Sequence, residues 1–264
     1  AALADDESLT TQLFQYRFAT VRREGDTGYS LDGHSFGNLF ITAMANVTGS
    51  FEKALEESGR VLAIQGQILP STLENVTLCA DLVDEAAAIR RVMGESAIPE
   101  ARLPIERVYL EPTIAPAYPP ALRAILDADL IVVGPGSLFT SVLPNLLVDD
   151  ITGAIRASDA LKIYVCNVAT QPGETDDFSL ADHLQAIERH VGSDLFTFVL
   201  ANNNFDQPLP VDAALAQVTI KSPVGADYEV FAADVVDEQR PWRHDPGKLA
   251  RVLAVIYAQQ EESK

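Results

Sequence analysis

The residues with the clearest chemical promise are Gly134-Pro135-Gly136-Ser137, with Thr140 three positions further on. They follow the apolar, β-branched run Leu130-Ile131-Val132-Val133 and precede a new apolar segment. That order reads as a strand buried on both faces, a tight turn and a helix start. Such a turn gathers backbone N–H groups at the carboxyl edge of a sheet, where their partial positive charge suits a phosphate. Glycine also lets the backbone come close to a ligand, because it has no Cβ. Taken alone, two glycines and a proline are equally an ordinary turn. A second loop shifts the balance. Residues 161–166 form another buried-strand run that ends in Asn167-Val168-Ala169-Thr170-Gln171-Pro172-Gly173-Glu174-Thr175-Asp176. Loops that end neighbouring parallel strands share one edge, and ligands bind there. The expectation is a diphosphate held by the N–H groups of Gly134, Gly136 and Ser137 and the hydroxyls of Ser137 and Thr140. Asn167 and Thr170 would line the adjoining loop.

Further candidates lie elsewhere in the chain. His34 and Asn38 flank Ser35, a plausible helix N-cap, and could contact a base or sugar. The plainer reading there is capping plus close packing at Gly37. Arg243 is the best positive group to oppose a diphosphate, since its planar fork binds phosphate oxygens in pairs. Its alternative is an exposed salt bridge with Asp245 or another carboxylate. His244 reads more simply as a packed or capping histidine. Glu174, Asp176 and Asp177 could hold magnesium, although acidic loop residues in so acidic a chain are usually just solvated. Cys79 and Cys166 each lie in an apolar run and read as buried thiols. No Cys/His spacing resembles a zinc site.

The elements that must position these groups can be read in outline. Helical spacing covers residues 8–18, 36–45 and 50–57, and a polar, glycine-containing loop covers 21–31. From Val61 the period changes. Short strands are expected at 61–64, 67–70 and 76–80, with continuations at 89–93 and 107–110, as a small antiparallel or mixed sheet. A proline-rich crossover at 111–120 leads to a short helix at 120–128 and then to the strand 130–133. Helices follow at 142–148 and 149–157, then the strand 161–166, a helix at 180–191 and a strand at 195–201. A strand at 228–232 and an amphipathic helix at 248–258 close the chain. This is an α/β fold, Rossmann-like and three-layered, with a mostly parallel sheet and a small additional β-rich region. We read residues 1–264 as one α/β domain, with the β-rich insertion at 58–112 and the α/β core at 120–264.

Composition narrows the partners. The 264 residues are 47% hydrophobic and 22% charged, ordinary for a globular protein. The net charge of −19 and pI near 4.4 argue against sequence-independent nucleic-acid binding and against adsorption to anionic lipid. No apolar run reaches the roughly 18 residues of a membrane span. The opening residues show no basic segment followed by an apolar run.

Four stretches carry a resemblance. Residues 33–39 (Gly-His-Ser-Phe-Gly-Asn-Leu), 131–147, 167–175 and Arg243-His244-Asp245 resemble the YvcK-type gluconeogenesis factors. These are similar in turn to the 2-phospho-L-lactate transferases of the CofD family. The resemblance spans essentially the whole chain. It implies a Rossmann-like fold and a cytoplasmic bacterial protein. It also implies a nucleotide-linked ligand of the UDP-N-acetylglucosamine class and a role in carbon use, cell-wall synthesis and cell shape. No cofactor is required on that branch. The transferase branch instead moves a phospholactyl group from a nucleotide donor, with magnesium. The family opens with a strand and a glycine-rich loop that are absent here, so a preceding segment is expected to be missing. Self-association and a downstream protein partner are left open by the residues. A nicotinamide-dependent dehydrogenase is a third reading, but the Gly-x-Gly-x-x-Gly fingerprint is absent from these residues.

Overall fold

The computed structural model describes residues 34–62, 66–210, 214–220 and 228–262, together with residues 9, 12–14, 16–18 and 31. The chain divides into two compact units, Ala1–Leu73 and Glu74–Lys264.

In the first unit, helix Phe36–Thr48 starts at Ser35, whose extended backbone and side chain make it the N-cap: its Oγ accepts from the Asn38 N–H at 3.2 Å. Gly49, left-handed at φ 73°, ends the helix. A Cβ at Gly37 would stand 3.1 Å from the Phe14 ring and carbonyl, so the close packing expected at Gly37 is present. Phe14 also meets Phe36 and Phe40 edge-on. The next helix runs Phe51–Val61, capped by Ser50. The strands expected from Val61 onward therefore do not begin there. Val61 ends the helix, 67–70 have no regular structure, and 63–65 lie outside the described residues. A Glu-rich helical face with Arg60 bonded to Glu56 and Glu57 outweighs the β-branched Val61. The loop read over 21–31 and most of the helix read over 8–18 also lie outside the described residues.

The second unit opens with strands β1 (Thr77–Val83), β2 (Ile89–Met93) and β3 (Ile105–Glu111), an antiparallel sheet in the order β2-β1-β3. The chain then crosses through 112–118 to helix Pro119–Leu126. Four parallel strands follow, β4 (Leu130–Val133), β5 (Leu161–Val165), β6 (Phe198–Asn202) and β7 (Glu229–Ala233), paired in chain order. Helices Leu143–Leu146, Asp149–Ala157 and Leu180–Val191 lie between them in sequence, and Pro246–Glu261 closes the unit. This is the expected Rossmann-like α/β class. The sheet's core holds Ile163, Val165, Phe198, Leu200, Val235 and Val236 against Ile256 of the final helix.

One strand differs from expectation. β6 is the strand buried at every position, whereas β4 lies at the edge of the described sheet, with Val132 37% exposed. An unbroken apolar run marks a sheet strand, but not its place in the order. Among the described residues no single helix is long and apolar enough to cross a membrane.

Candidate functional site

All four parallel strands end at one edge, so the turn after β4 and the loop after β5 are neighbours. Their contact is built from side chains. The Asn167 amide donates to the Gly136 carbonyl at 2.9 Å and to Gln171 Oε1 at 3.1 Å. Gln171 Nε2 donates to Ser137 Oγ at 2.7 Å. Glu174 Oε1 accepts from the Thr140 hydroxyl at 2.9 Å, and Oε2 from the Phe139 N–H at 3.3 Å. Gly136, Ser137 and Asn167 are thus brought together, as the sequence predicts.

Gly134 holds the turn. Its φ is +87°, and a Cβ there would stand 2.9 Å from the Val165 carbonyl oxygen at the end of β5. Gly136 is different: a Cβ would meet Ser141 and Val142 only at ordinary contact distance. Its smallness is not demanded by packing. After Ser137 the backbone makes one π-helical turn, Leu138–Val142, before the helix Leu143–Leu146. Such turns recur at functional sites.

The hydrogen bonds determine which donors remain open. The N–H groups of Gly136 and Ser137 have no partner among the described residues. Ser137 Oγ accepts from Gln171, which leaves its own proton to donate outward. Thr140 has spent its proton on Glu174. Thr170 is buried and turned to the chain: its N–H donates to the Ala216 carbonyl and its hydroxyl accepts from the Ala216 N–H. His34 and Asn38 belong to the first unit. There Asn38 stands in the first helical turn and His34 bonds through its backbone to Leu31 and Phe18.

Glu174 takes a place beside the turn that the sequence did not disclose. It is buried, and burial raises its pKa, opposed by the bonds from Thr140 and Phe139. It brings a carboxylate to the first turn after Ser137, where a helix start attracts anions. An exposed acid was expected; the Phe139 and Thr140 donors explain its burial. Gly173 beside it packs on Pro99. Asp176 accepts from the Gly173 N–H at 2.7 Å and is exposed, as is Asp177. Among the described residues no three His, Cys, Asp or Glu side chains are grouped to hold a metal ion.

The loop after β7 supplies the remaining groups. Arg243 is exposed, and no ion pair to Asp245 forms; the Asp245 carboxylate instead caps the last helix through the Lys248 N–H at 2.7 Å. His244 packs at the end of β5, its Nε2 3.1 Å from the Cys166 carbonyl oxygen. Both cysteines are buried and free, and burial pushes the Cys166 thiol up to about 12.

A family model described as 2-phospho-L-lactate transferase CofD matches residues 1–259. The chain belongs to the CofD family. A relative from Nostoc is 46% identical over 275 residues, all of this chain and 58% of the relative, so the chain spans less than two thirds of that protein. A relative from Bacillus subtilis named gluconeogenesis factor is 40% identical over 262 residues, covering 96% of this chain and 78% of the relative. The crystal structure of a upf0052-family protein from Bacillus halodurans superposes with a TM-score of 0.78 at 37% identity, covering 96% of this chain and 79% of that one. These likenesses are those expected from the four sequence stretches.

Proposed function

We propose that this chain is a nucleotide-sugar-binding regulatory protein of the cytoplasm, of the gluconeogenesis-factor type, whose ligand resembles UDP-N-acetylglucosamine. The observation that carries the reading is the stitching of the β5 loop to the Gly136–Ser137 turn by Asn167 and Gln171. It leaves N–H groups at Gly136 and Ser137 and the Ser137 hydroxyl open to an anion at the sheet's carboxyl edge. Arg243 supplies an exposed guanidinium on the loop after β7. The relatives' name supports a role in carbon use, and control of cell-wall synthesis and cell shape is part of the same proposal. Titration calorimetry with UDP-N-acetylglucosamine, with GDP and NAD as comparators, tests it. Saturable heat for the UDP-sugar alone is expected; absence of binding by the UDP-sugar rejects the reading.

The description of the matching family model favours a second reading, a transferase using a nucleotide-activated donor with magnesium. The acids near the turn fit a metal poorly, since Glu174 is bonded to Phe139 and Thr140 and Asp176 to Gly173. Magnesium-dependent release of free nucleotide, followed by phosphorus NMR, would establish that reading against the regulator.

A further inference from the structure

The nucleotide-sugar reading gives the Gly136–Ser137 turn to the ligand's anionic part and leaves the end of β5 unassigned. We propose that His244 and Asn167 recognise hydroxyl groups of the same ligand by accepting their hydrogen bonds, an assignment that rests on that reading.

The polarity of both side chains is fixed by what they already bond. A carbonyl oxygen can only accept, so the His244 Nε2 beside Cys166 carries the proton. In the neutral ring Nδ1 is then a lone-pair acceptor. Burial keeps the ring neutral by lowering its pKa, a tendency that the Cys166 bond opposes. Nδ1 has no partner among the described residues and is not sealed from solvent. Asn167 has committed both amide hydrogens, one to Gly136 and one to Gln171. Its Oδ1 remains an acceptor with no donor among the described residues. The Cys166 carbonyl carbon is bonded to the Asn167 nitrogen, so the two acceptors flank a single peptide.

The placement of His244 is determined by its backbone. Val236 and His244 form a bridge, the Asp237 N–H donates to the Arg243 carbonyl, and the Asp245 N–H to that of Val235, each at 2.9 Å. Capping of the last helix falls to Asp245. The ring is therefore a rigid acceptor rather than a cap. Acceptors repel phosphate oxygens and suit O–H donors. A vicinal diol, which both the ribose and the hexose of a nucleotide sugar carry, matches a pair of them.

The test is a set of calorimetric titrations of the full chain and of His244→Phe, which keeps a flat ring and removes both nitrogens. The ligands are UDP-N-acetylglucosamine, its analogue lacking both ribose hydroxyls, and UDP. The wild-type chain is expected to lose affinity when the recognised hydroxyls are removed, by about threefold to tenfold for each hydrogen bond lost. H244F should lose less than the wild type on their removal, because only the bond to Asn167 is left to break. A smaller loss in H244F than in the wild type on the ribose analogue places the ribose at His244, and such a difference only on UDP places the hexose there. The same hydroxyl dependence in both proteins overturns the proposal. Should H244F fail to fold, nitrogen NMR of the wild-type chain decides: the Nδ1 resonance must move when UDP-N-acetylglucosamine saturates the protein, and an unmoved resonance overturns the assignment. No binding of UDP-N-acetylglucosamine to the wild type would instead remove the nucleotide-sugar reading itself.

Discussion

A Cβ at Gly173 would stand closer to the Pro99 carbonyl oxygen than real side chains ever do, so the loop after β5 is seated on the short helix Ala97–Glu100 through a bare backbone. Gly173 also has a φ of +81°. The same loop carries Asn167, Gln171 and Glu174, and this contact fixes where they stand.

The three glycines near the site should separate fold from binding. Gly173→Ala and Gly134→Ala face both a positive φ and a backbone oxygen, and each is expected to lower stability by more than about 1 kcal/mol. Gly136→Ala meets only ordinary contacts and should melt like the wild type, yet bind UDP-N-acetylglucosamine more weakly. Thermal melts beside calorimetry check this; unchanged affinity in Gly136→Ala would place the ligand elsewhere.

Glu174 should tolerate an amide but not truncation. In Glu174→Gln the carbonyl oxygen can accept from Phe139 while the amide donates to Thr140, whose hydroxyl then accepts. Glu174→Ala strands both donors, at a cost of about 1–3 kcal/mol in denaturant melts. Removing the carboxylate's charge in Glu174→Gln should also tighten binding of an anionic ligand. Weaker binding in that variant would contradict a phosphate near the turn.

Stability should fall with acid before the carboxylates titrate. His183, His190 and His244 all have pKa values lowered by burial from the ordinary 6.5, opposed in each case by a backbone hydrogen bond. The unfolded chain then binds more protons than the folded one in the window just below that value. The stabilisation is fully present above about pH 6.5 and is lost progressively as pH falls toward the folded values. His190 shows why: its Nε2 accepts from the Val108 N–H at 2.9 Å, and a proton there would break the tie between β3 and the helix Leu180–Val191. Urea melts at pH 7.5 and 5.5 measure the slope, and His190→Gln should flatten it. A flat profile in the wild type would show that the rings titrate normally.

Arg243→Ala should leave the melting temperature unchanged, because the exposed guanidinium forms no ion pair among the described residues. It should weaken UDP-N-acetylglucosamine by roughly 1–3 kcal/mol if a charge-assisted bond is lost. Equal calorimetric affinity would take Arg243 out of the site.

Thiol chemistry offers a check on the fold. Cys79 and Cys166 are buried and Cys166 is held protonated, so alkylation should proceed only on unfolding. Rapid labelling of either at neutral pH in native buffer would contradict their placement.

Much of this was legible in the residues. Apolar runs bounded by turn residues marked β4 and β5 to within a residue, and Leu180–Val191 was read with its bounds intact. Periodicity and punctuation are local, and local order is what these segments obey. The Val61 region was misread because one β-branched residue at a helix end looks like a strand start. That Thr170 is buried and bonded to the distant Ala216 through both its N–H and its hydroxyl oxygen is not legible from a loop hydroxyl alone.

By itself the sequence determined the fold class, the family and the pair of loops, since strand periodicity, glycine turns and motif order are all properties of neighbouring residues. Only the tertiary structure decided that β4 lies at the described sheet's edge, that Glu174 is buried against Phe139 and Thr140, and which nitrogen of His244 carries its proton. Those outcomes depend on groups far apart in the chain competing for the same donors and acceptors, and no spacing rule records which of them wins.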